Sequence, residues 1–354
     1  TTYVLYVRNF YYIYIIKITC QLETEIINIV EIIKKNKQMR EVKSFIDLMK
    51  SFYDEKSCRE FLEDIKWRGE PICPHCNCQT KEHYKLKSNG EFKGLYKCKR
   101  CKKRFTVTIG TMFEGSHVSL KKWFYALYIF LAHKKGISSI QLSKDIDVTQ
   151  KTAWFMLERI RHNLKDKLMV QFNDMTQVDE TYVGGKPRKD NNHSDDNKDN
   201  SNENKTKRGR GTSKTPVIGV KERNTGKVHA VVANYNEEGK QLSGKQLFNV
   251  LKKVCKKNTT VLTDQFSGYN ILDKENDCNF VRLKIDHTVA FSLGDGIHTN
   301  GIESFWAVLK RGVYGVFHNV SVKYMQKYVN EFCYRLNHRD NNEAFASLVK
   351  FAVA

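Results

Sequence analysis

The spacing of apolar residues predicts helices in the first half of the chain. In residues 40–70, interpreted as a helical lead-in (39–70), apolar side chains recur at helical intervals, at Phe45, Leu48, Phe52, Phe61, Leu62 and Ile65. The pattern resumes in residues 120–164, where Gly136 interrupts it and Thr149 is placed to cap a last helix. One face of that helix carries Ala153, Leu157, Ile160 and Leu164.

Residues 118–168 have the layout of a helix-turn-helix, in which a short helix, a tight turn and a second helix follow one another. Helix pairs of this kind also occur in plain bundles, so the pattern alone does not decide between them. The polar side chains of the second helix are left for solvent or DNA. They are Gln150, Lys151, Arg159 and Arg161.

Strands and helices alternate after residue 174. Three strand-like segments (MTQVDETYVGG, TPVIGVKER, GKVHAVVANY) precede a helix, two further strands (TTVLTDQFSGY, NFVRLKI) and a last helix, NGIESFWAVLKRG. This is the element order of the ribonuclease H-like fold. We therefore predict an α+β, multi-domain chain with a catalytic α/β domain at 174–345, in which the strands carrying Asp179 and Asp264 are neighbours.

Two segments fall outside this pattern. Residues 186–214 contain no aliphatic or aromatic side chain and are predicted to be a disordered insert. The opening stretch, TTYVLYVRNFYYIYIIKITC, is the one membrane candidate, but Arg8 and Lys17 leave an apolar run well short of the roughly 20 residues that a spanning helix needs. We expect no membrane anchor and assign no function to the leader, residues 1–38.

Charge indicates the class of partner. The chain has 60 Lys and Arg against 39 Asp and Glu, a formal charge of +21 spread along its length. A distributed excess of this size favours a polyanion, and nucleic acid is the first candidate.

The cysteines predict a metal site. Two C-x2-C pairs, Cys73 with Cys76 and Cys98 with Cys101, stand on either side of strand-like segments, as in a zinc ribbon at 71–114. Four thiolates form a closed structural Zn²⁺ site, and the scatter of the other cysteines fits a reducing compartment. The alternative is two coincidental pairs of core cysteines, which the charged residues beside them oppose.

Carboxylates predict a second metal site. Asp179 and Asp264 both follow apolar strand residues, and Glu303 on the final helix adds a third hard oxygen ligand. Such a set suits Mg²⁺ or Mn²⁺, typically two ions about 3.5–4 Å apart. Lys310 follows Glu303 on the same helical face, where its ammonium could reach a DNA phosphate. An isolated Glu and Lys at this spacing is more often a solvated surface, and the strand aspartates are what favour a site.

The segments VDETYVGGK, TDQFSGY and HTNGIESFWAVLKRG, preceded by the ribbon and by SSIQLSKDIDVTQKTAWFMLERIR, resemble the ISXO-like DDE transposases, which include bacterial insertion-sequence enzymes and eukaryotic Merlin elements. The resemblance covers roughly residues 45–345. It implies a transposase that cleaves and joins DNA at the terminal inverted repeats of its own element. The metal triad would be Asp179, Asp264 and Glu303, accompanied by Lys310.

Members of this family vary at the third acidic position, and some use a nearby Asn, so Asn300 competes with Glu303 for that role. His298 is similar to a family motif histidine. We expect His298 and His318 to support the metal site or contact DNA, with a capping or core role as the alternative. Arg311, beside Lys310, is a further expected DNA contact.

Transposition pairs two DNA ends, so we expect at least a dimer on DNA, in the nucleus of a eukaryote or the cytoplasm and nucleoid of a bacterium. Two other functions remain open from sequence. One is a domesticated transposase that binds DNA as a regulator without cleaving it. The other is a ribonuclease H or Holliday-junction nuclease, which would have little need of a ribbon and a helix-turn-helix together.

Overall fold

The structure, a computed structural model, describes residues 42–164, 171–184, 214–233, 242–274, 278–285, 299–339 and 344–353. The leader 1–38 and all but the last residue of the predicted insert 186–214 lie outside these ranges. Within them, no helix combines the length and the apolar character needed to cross a bilayer.

The lead-in forms two helices, α1 (Phe45–Ser51) and α2 (Glu55–Trp67), each with its own N-cap. The Ser44 side chain accepts a hydrogen bond from the Asp47 amide, and the Asp54 side chain accepts one from the Ser57 amide. Each cap satisfies an amide that has no partner within its helix. Asp54 therefore starts a new helix just after α1 ends.

The ribbon is a small antiparallel sheet of β1 (Tyr84–Ser88), β2 (Glu91–Lys97) and β3 (Arg104–Phe105). Asn89 and Gly90, with φ of 51° and 81°, make the turn between β1 and β2. Positive φ at both turn residues matches the twist of the hairpin, and Asn and Gly are the residues that adopt it most readily.

Three helices follow: α3 (Leu120–Ala132), α4 (Ser139–Asp145) and α5 (Gln150–Asn163). Ser119, Ser138 and Thr149 cap them through their side-chain oxygens. The predicted apolar face of α5 is buried, from Ala153 to Leu164. The helices expected here are confirmed, whereas a DNA-binding role for α4 and α5 stays a prediction.

The second half is built on a five-stranded sheet. Its strands are β4 (Thr176–Val183), β5 (Thr215–Glu222), β6 (Val228–Val232), β7 (Thr260–Thr263) and β8 (Val281–Lys284). Their order is β6-β5-β4-β7-β8, antiparallel among β4, β5 and β6 and parallel from β4 to β7 and β8. This order and sense of pairing confirm the predicted ribonuclease H-like topology, with β4 beside β7.

The helices of this half are α6 (Gly244–Val254), α7 (Ile271–Lys274), α8 (Asn300–Gly312), α9 (Val322–Asn337) and α10 (Ala344–Val353). Helix α6 covers one face of the sheet, where Leu247 packs in a cluster with Val178 and Ile218. Helix α8 covers the other, where Trp306 packs in a cluster with Val217. Because strand side chains alternate between faces, Asp179 lies on the α8 side and Glu180 on the α6 side.

Helix α9 closes the β6 edge of the sheet with two side-chain amides. The backbone amide of Val228 donates to Oδ1 of Asn337 at 2.7 Å, and that of Val232 donates to Oε1 of Gln326 at 2.7 Å. The side-chain amides of Asn337 and Gln326 donate in turn to the Val228 and Ala230 carbonyls. An edge strand whose outer groups are paired in this way cannot recruit another strand.

The last helix, α10, packs on the N-terminal module rather than on the sheet. The ring of its Phe345 contacts Phe52 and Phe124. The Met112 amide donates to the Ala352 carbonyl at 2.8 Å, and the Asn163 side chain donates to the Phe351 carbonyl at 2.7 Å. One apolar core therefore runs through the N-terminal helices, the ribbon and the α8 side of the sheet.

The expectation that Arg161 faces solvent or DNA is wrong. Its side chain is 1% exposed, and its guanidinium donates to Glu331 at 2.6 Å and to Glu158 at 3.1 Å. It also lies 4.0 Å from the ring centroid of Tyr328. Arg335 and Lys327 complete the cluster by pairing with the same two glutamates. An arginine can be buried only with such partners, and this one joins α5 to α9.

Replacing Arg161 with Met should lower the free energy of unfolding by about 3–5 kcal/mol, because it removes one partner of a buried carboxylate. Burial would raise the pKa of Glu331, but Arg161 and Arg335 lower it. The stabilisation is therefore present above about pH 4.3, the ordinary glutamate value, and lost as pH falls further. Chemical denaturation against pH measures both effects. Lys151→Met, on an exposed position of the same helix, should change stability little, and equal effects of the two variants would contradict the assignment.

Candidate functional site

The four predicted zinc ligands form one cluster. Their Sγ atoms all lie within 4.8 Å of one another, with Cys73 3.7 Å from Cys101 and Cys76 3.6 Å from Cys98. Four sulfurs at the tetrahedral Zn–S distance of about 2.3 Å would be separated by about 3.8 Å. The cluster therefore fits Zn²⁺ in its donor chemistry and its dimensions, and it leaves no open position for a substrate.

Each C-x2-C pair lies in a turn of the same form. The amides of Asn77 and Lys102 donate to the carbonyls of Cys73 and Cys98, and both residues have positive φ, 53° and 62°. Burial alone would raise the pKa of Cys98, but the amides of Cys101 and Arg100 and the neighbouring thiols lower it to about 6. These contacts favour the thiolate form of Cys98, the form that binds metal, whereas burial raises the pKa of Cys73 to about 12.

A buried histidine beside the cluster went unnoticed in the sequence. Nδ1 of His83 accepts a hydrogen bond from the Lys99 amide at 3.2 Å, so its Nε2–H donates to the Cys78 carbonyl at 3.1 Å. Both ring nitrogens are used by the backbone. His83 therefore joins the two turns, and Cys78 contributes its backbone carbonyl to this contact.

The first predicted catalytic aspartate, Asp179, lies in β4 opposite Gly219 of β5. A Cβ atom at Gly219 would come within 2.6 Å of the Trp306 ring, so the absence of a side chain lets α8 approach the sheet. Nε1 of Trp306 donates to Oδ2 of Asp179 at 3.0 Å. The indole, which sequence reasoning did not single out, therefore fills the space above Gly219 and holds the carboxylate beside it.

The second aspartate, Asp264, directly follows β7. Gln177 of β4 pairs with Leu262 of β7, so the parallel register, continued by two residues, sets Asp264 beside Asp179. Oδ1 of Asp264 accepts a hydrogen bond from the Phe266 amide at 3.0 Å, which turns the chain away from the sheet. The prediction that the fold brings these two aspartates together agrees with this register.

The environment of Asp179 opposes its ionisation. Burial, the Glu180 carboxylate and Asp264 raise its pKa to about 7, although the hydrogen bond from Trp306 acts in the opposite direction. A cation between the carboxylates would remove the repulsion that causes part of this shift. The donor set and the raised pKa both fit a divalent metal at this edge of the sheet.

Two contacts anchor the first turn of α8. Oε1 of Gln177 accepts a hydrogen bond from the Ile302 amide at 2.9 Å, and Nζ of Lys221 donates to the Gly301 carbonyl at 3.0 Å. Gln177 satisfies one of the amides that a helix leaves unpaired at its start. The sheet therefore sets the position from which α8 presents its side chains.

Glu303 is exposed on the first turn of α8, where Oε1 accepts a hydrogen bond from Oγ1 of Thr299 at 3.0 Å. Asn300, the first residue of α8, is also exposed. Lys310 is half-buried, and burial lowers its pKa while Asp179 raises it, so the ammonium and Asp179 interact. His318 lies exposed just after the helix with φ of 59°. His298 lies outside the described residues.

The three carboxylates are spaced more widely than the thiolates. Among the described residues, the groups of three or more ligand atoms that all lie within 4.8 Å are the four cysteines and the set Cys78, His83 and Cys98. Asp179 and Asp264 share an edge through strand register, and Glu303 projects from the helix above it. The three carboxylates therefore do not form a preassembled group of the tightness seen for the thiolates.

Four of the expected DNA contacts remain at the surface. Lys151 is exposed at the start of α5, and Gln150 donates to Oγ of Ser139 at 2.8 Å. Arg159 donates to the Glu114 carbonyl at 2.8 Å, and Arg311 to the Ala307 carbonyl at 3.0 Å. Each of the four side chains retains further hydrogen-bond donors that can contact a partner.

Two protein families match the chain. The ISXO2-like transposase domain matches residues 171–337, and the transposase zinc-ribbon domain matches residues 53–104. A relative described as an uncharacterized protein in transposable element ISH50, from Halobacterium salinarum, is 29% identical over 272 residues, or 74% of this chain and 84% of the relative.

Solved structures of Mos1 assemblies also match. A chain of the pre-cleavage Mos1 transpososome is 12% identical, with a TM-score of 0.23, over 64% of this chain and 77% of that one. A chain of the Mos1 transposase paired-end complex with left transposon end is 14% identical, with a TM-score of 0.23, over 65% of this chain and 79% of that one.

Replacing Cys76 with Ser should abolish stoichiometric zinc binding, because three thiolates remain where a closed site needs four ligands. The protein as purified is expected to hold one zinc, measured by elemental analysis, and to lose thermal stability when a chelator removes it. Cys78→Ser changes a cysteine two positions away and should retain the metal. Equal zinc content in the two variants would contradict the ligand set.

Replacing Trp306 with Phe should raise the pKa of Asp179 further above about 7, because the indole N–H stabilises the charged carboxylate. Carboxyl ¹³C NMR of aspartate-labelled protein can follow this group, since ordinary aspartates titrate near pH 3.9. Trp154→Phe, at a tryptophan 39% exposed on α5, is the matched control. An unchanged Asp179 titration in Trp306→Phe would show that the indole does not hold the carboxylate.

Proposed function

Because the chain belongs to the ISXO2-like transposase family, we propose that it cleaves and joins DNA strands at the terminal inverted repeats of its own mobile element. The reaction is a phosphoryl transfer. Asp179, Asp264 and Glu303 are the proposed ligands for two divalent cations, Mg²⁺ or Mn²⁺, and Lys310 is the accompanying cation.

The observation that carries this proposal is the register of β4 against β7. Asp179 and Asp264 are far apart in the chain, and the register brings them together at the carboxyl end of β7, one within β4 and one just past the last residue of β7. Burial raises the pKa of Asp179 to about 7, together with repulsion from Glu180 and a smaller contribution from Asp264. Such an arrangement destabilises the protein alone and becomes favourable when cations bind.

The chemistry follows from this ligand set. Divalent cations held by carboxylates increase the acidity of an attacking hydroxyl and stabilise the departing oxygen. In cleavage, the oxygen of a water molecule would bond to phosphorus while the bond from phosphorus to the opposite strand oxygen breaks. The water would lose a proton to solvent, and the departing oxygen would take one up and leave as a free 3′ hydroxyl. In joining, a 3′ hydroxyl takes the place of water. The protein binds and orients the strands and holds the ligands.

Lys310 is placed to bind the substrate rather than the metal. Burial lowers the pKa of Lys310, and the nearby Asp179 carboxylate opposes this effect. A DNA phosphate entering this space would offset the cost of burying the ammonium. Lys310 therefore orients the phosphate, with Arg311 beside it at the surface.

The N-terminal module supplies recognition in this proposal. Zinc in the ribbon stabilises the fold without taking part in the reaction, and α4 with α5 contacts the inverted repeat through Gln150, Lys151 and Arg159. Because α5 is joined to α9 by the buried ions around Arg161, DNA bound at α5 is held in a set position relative to the sheet. Two such chains on two DNA ends form the expected dimer.

The test is an end-cleavage and strand-transfer assay with DNA from the gene's own flanks and Mg²⁺ or Mn²⁺. Asp264→Asn keeps the shape of the side chain and removes its charge, so cleavage should fall at least about 1,000-fold, or about 4 kcal/mol of transition-state stabilisation. Asp174→Asn, a non-ligand aspartate of the same domain, should cleave like the wild type. Glu303→Gln and Asn300→Ala, assayed as two separate variants, identify the third ligand as the residue whose replacement abolishes cleavage.

Different results point to different functions. Tight, specific binding of the repeats with no cleavage by the wild type would contradict the proposal and indicate a DNA-binding regulator. Preferential cleavage of RNA–DNA hybrids or four-way junctions would indicate one of the nucleases that share the fold. Cleavage that persists unchanged in Asp264→Asn would contradict the assigned ligand set.

A further inference from the structure

We propose that Arg282 is a positioning residue that holds the Asp264 loop in the geometry needed for cation binding. The inference rests on the proposed function and concerns a residue outside the predicted ligand set. Arg282 lies on β8, and its position pairs with Val261 of β7, three residues before Asp264. The side chain runs along the end of β7 towards the loop.

The guanidinium is buried, and all three of its nitrogens are used. Nε donates to Oγ1 of Thr263 at 2.9 Å, and Nη2 donates to the Asp264 carbonyl at 3.3 Å. Nη1 donates to Oδ1 of Asn270 at 2.9 Å and to Oδ2 of Asp273 at 3.0 Å. The planar guanidinium therefore joins the end of β7 to the helical turns at 267–274, with directions that a lysine cannot reproduce.

The hydroxyl of Thr263 strengthens the same attachment. While its oxygen accepts from Nε of Arg282, its own hydrogen is donated to the Asp264 carbonyl at 2.9 Å. The Asp264 backbone therefore receives two donors, and its side chain accepts the Phe266 amide. With both its carbonyl and its carboxylate hydrogen-bonded, Asp264 has little freedom to turn away from Asp179.

The contacts that begin at Arg282 extend to β4, the strand that carries Asp179 and Glu180. Tyr269 lies in the turn that Arg282 holds through Asn270, and its hydroxyl donates to Oε2 of Glu180 at 2.9 Å. Its ring is fully buried and lies 5.9 Å from the guanidinium carbon. Glu180 directly follows Asp179 in β4. Arg282 thus supports Asp264 directly and supports the strand of Asp179 through Tyr269.

A simple ion pair with Asp273 does not explain this arrangement. Lys284, also on β8, reaches the same Asp273 oxygen at 3.0 Å with a side chain that is 51% exposed, whereas that of Arg282 is 2% exposed. The Asp273 carboxylate therefore already has an ion-pair partner in the exposed side chain of Lys284. What Arg282 adds is the set of bonds to Thr263 and Asp264, and groups that orient metal ligands in this way tune the affinity of the site.

The experiment compares Arg282→Lys with the matched control Lys284→Met on the same strand. Mn²⁺ binding is measured by titration calorimetry on the zinc-loaded full chain, and cleavage of the repeat-end DNA is measured against Mn²⁺ concentration. Arg282→Lys should weaken Mn²⁺ binding about 10–100-fold and raise the Mn²⁺ concentration for half-maximal cleavage accordingly. Lys284→Met removes only an exposed ion pair and should match the wild type.

A second variant tests whether weaker Mn²⁺ binding comes from the lost hydrogen bonds rather than from unfolding. Thr263→Val preserves the side-chain volume while removing the acceptor for Arg282 and the second donor to Asp264, so it should weaken Mn²⁺ binding in the same direction. Thermal melting gives the folded fraction, and affinities are compared per folded molecule.

The outcomes separate the two proposals. If folded Arg282→Lys and Thr263→Val bind Mn²⁺ as the active wild type does, Arg282 is structural and the inference is overturned while the proposed function stands. If the wild type neither binds Mn²⁺ nor cleaves, the proposed function fails, and the inference that rests on it fails too. Weakened Mn²⁺ binding in both variants, with Lys284→Met unchanged, supports the positioning role.

Discussion

The close approach of α8 to the sheet at Gly219 is the constraint on which the candidate site depends. Only a residue without a side chain leaves space there for the Trp306 ring. The ring then brings its N–H to Asp179, and the same helix carries Glu303 one turn before Trp306 and Lys310 one turn after it. One packing contact therefore sets the distance between the helical and strand contributions to the site.

Electrostatics explains why the rest of this domain is built around that edge. Burial raises the pKa of Asp179, and the Glu180 and Asp264 carboxylates raise it further, so the fold must hold this group against desolvation and repulsion. Trp306 holds Asp179 from the helix side, and Arg282 holds the Asp264 loop from the next strand. The ribbon gathers four thiols in a similar way, where burial raises the pKa of Cys73 to about 12 while backbone amides and neighbouring thiols lower that of Cys98 to about 6. In both places binding of a cation would offset the cost of the arrangement.

The errors and omissions of sequence reasoning have one physical cause. Arg161 was assigned to the surface because its neighbours on α5 are polar, yet its main partner, Glu331, lies 170 positions away. A charge with a distant buried partner looks like a solvated charge in sequence. Trp306 was not singled out in the sequence, because its hydrogen bond to Asp179 depends on the missing side chain of a glycine on another strand. The role of Arg282 is hidden in the sequence for the same reason, because the groups that it contacts lie on other segments of the chain.

The sequence by itself determined the elements and the ligand types. Helix caps, strand alternation and the C-x2-C turns depend on residues a few positions apart, so their chemistry is written locally, and the order of elements was enough to predict a ribonuclease H-like sheet. Tertiary structure alone decided which charges are buried, where α10 packs and which groups hold Asp179 and Asp264. Those features arise when segments that are distant in the chain pack against each other and exclude water. The free energy of burying a polar group therefore depends on partners that the neighbouring sequence does not reveal.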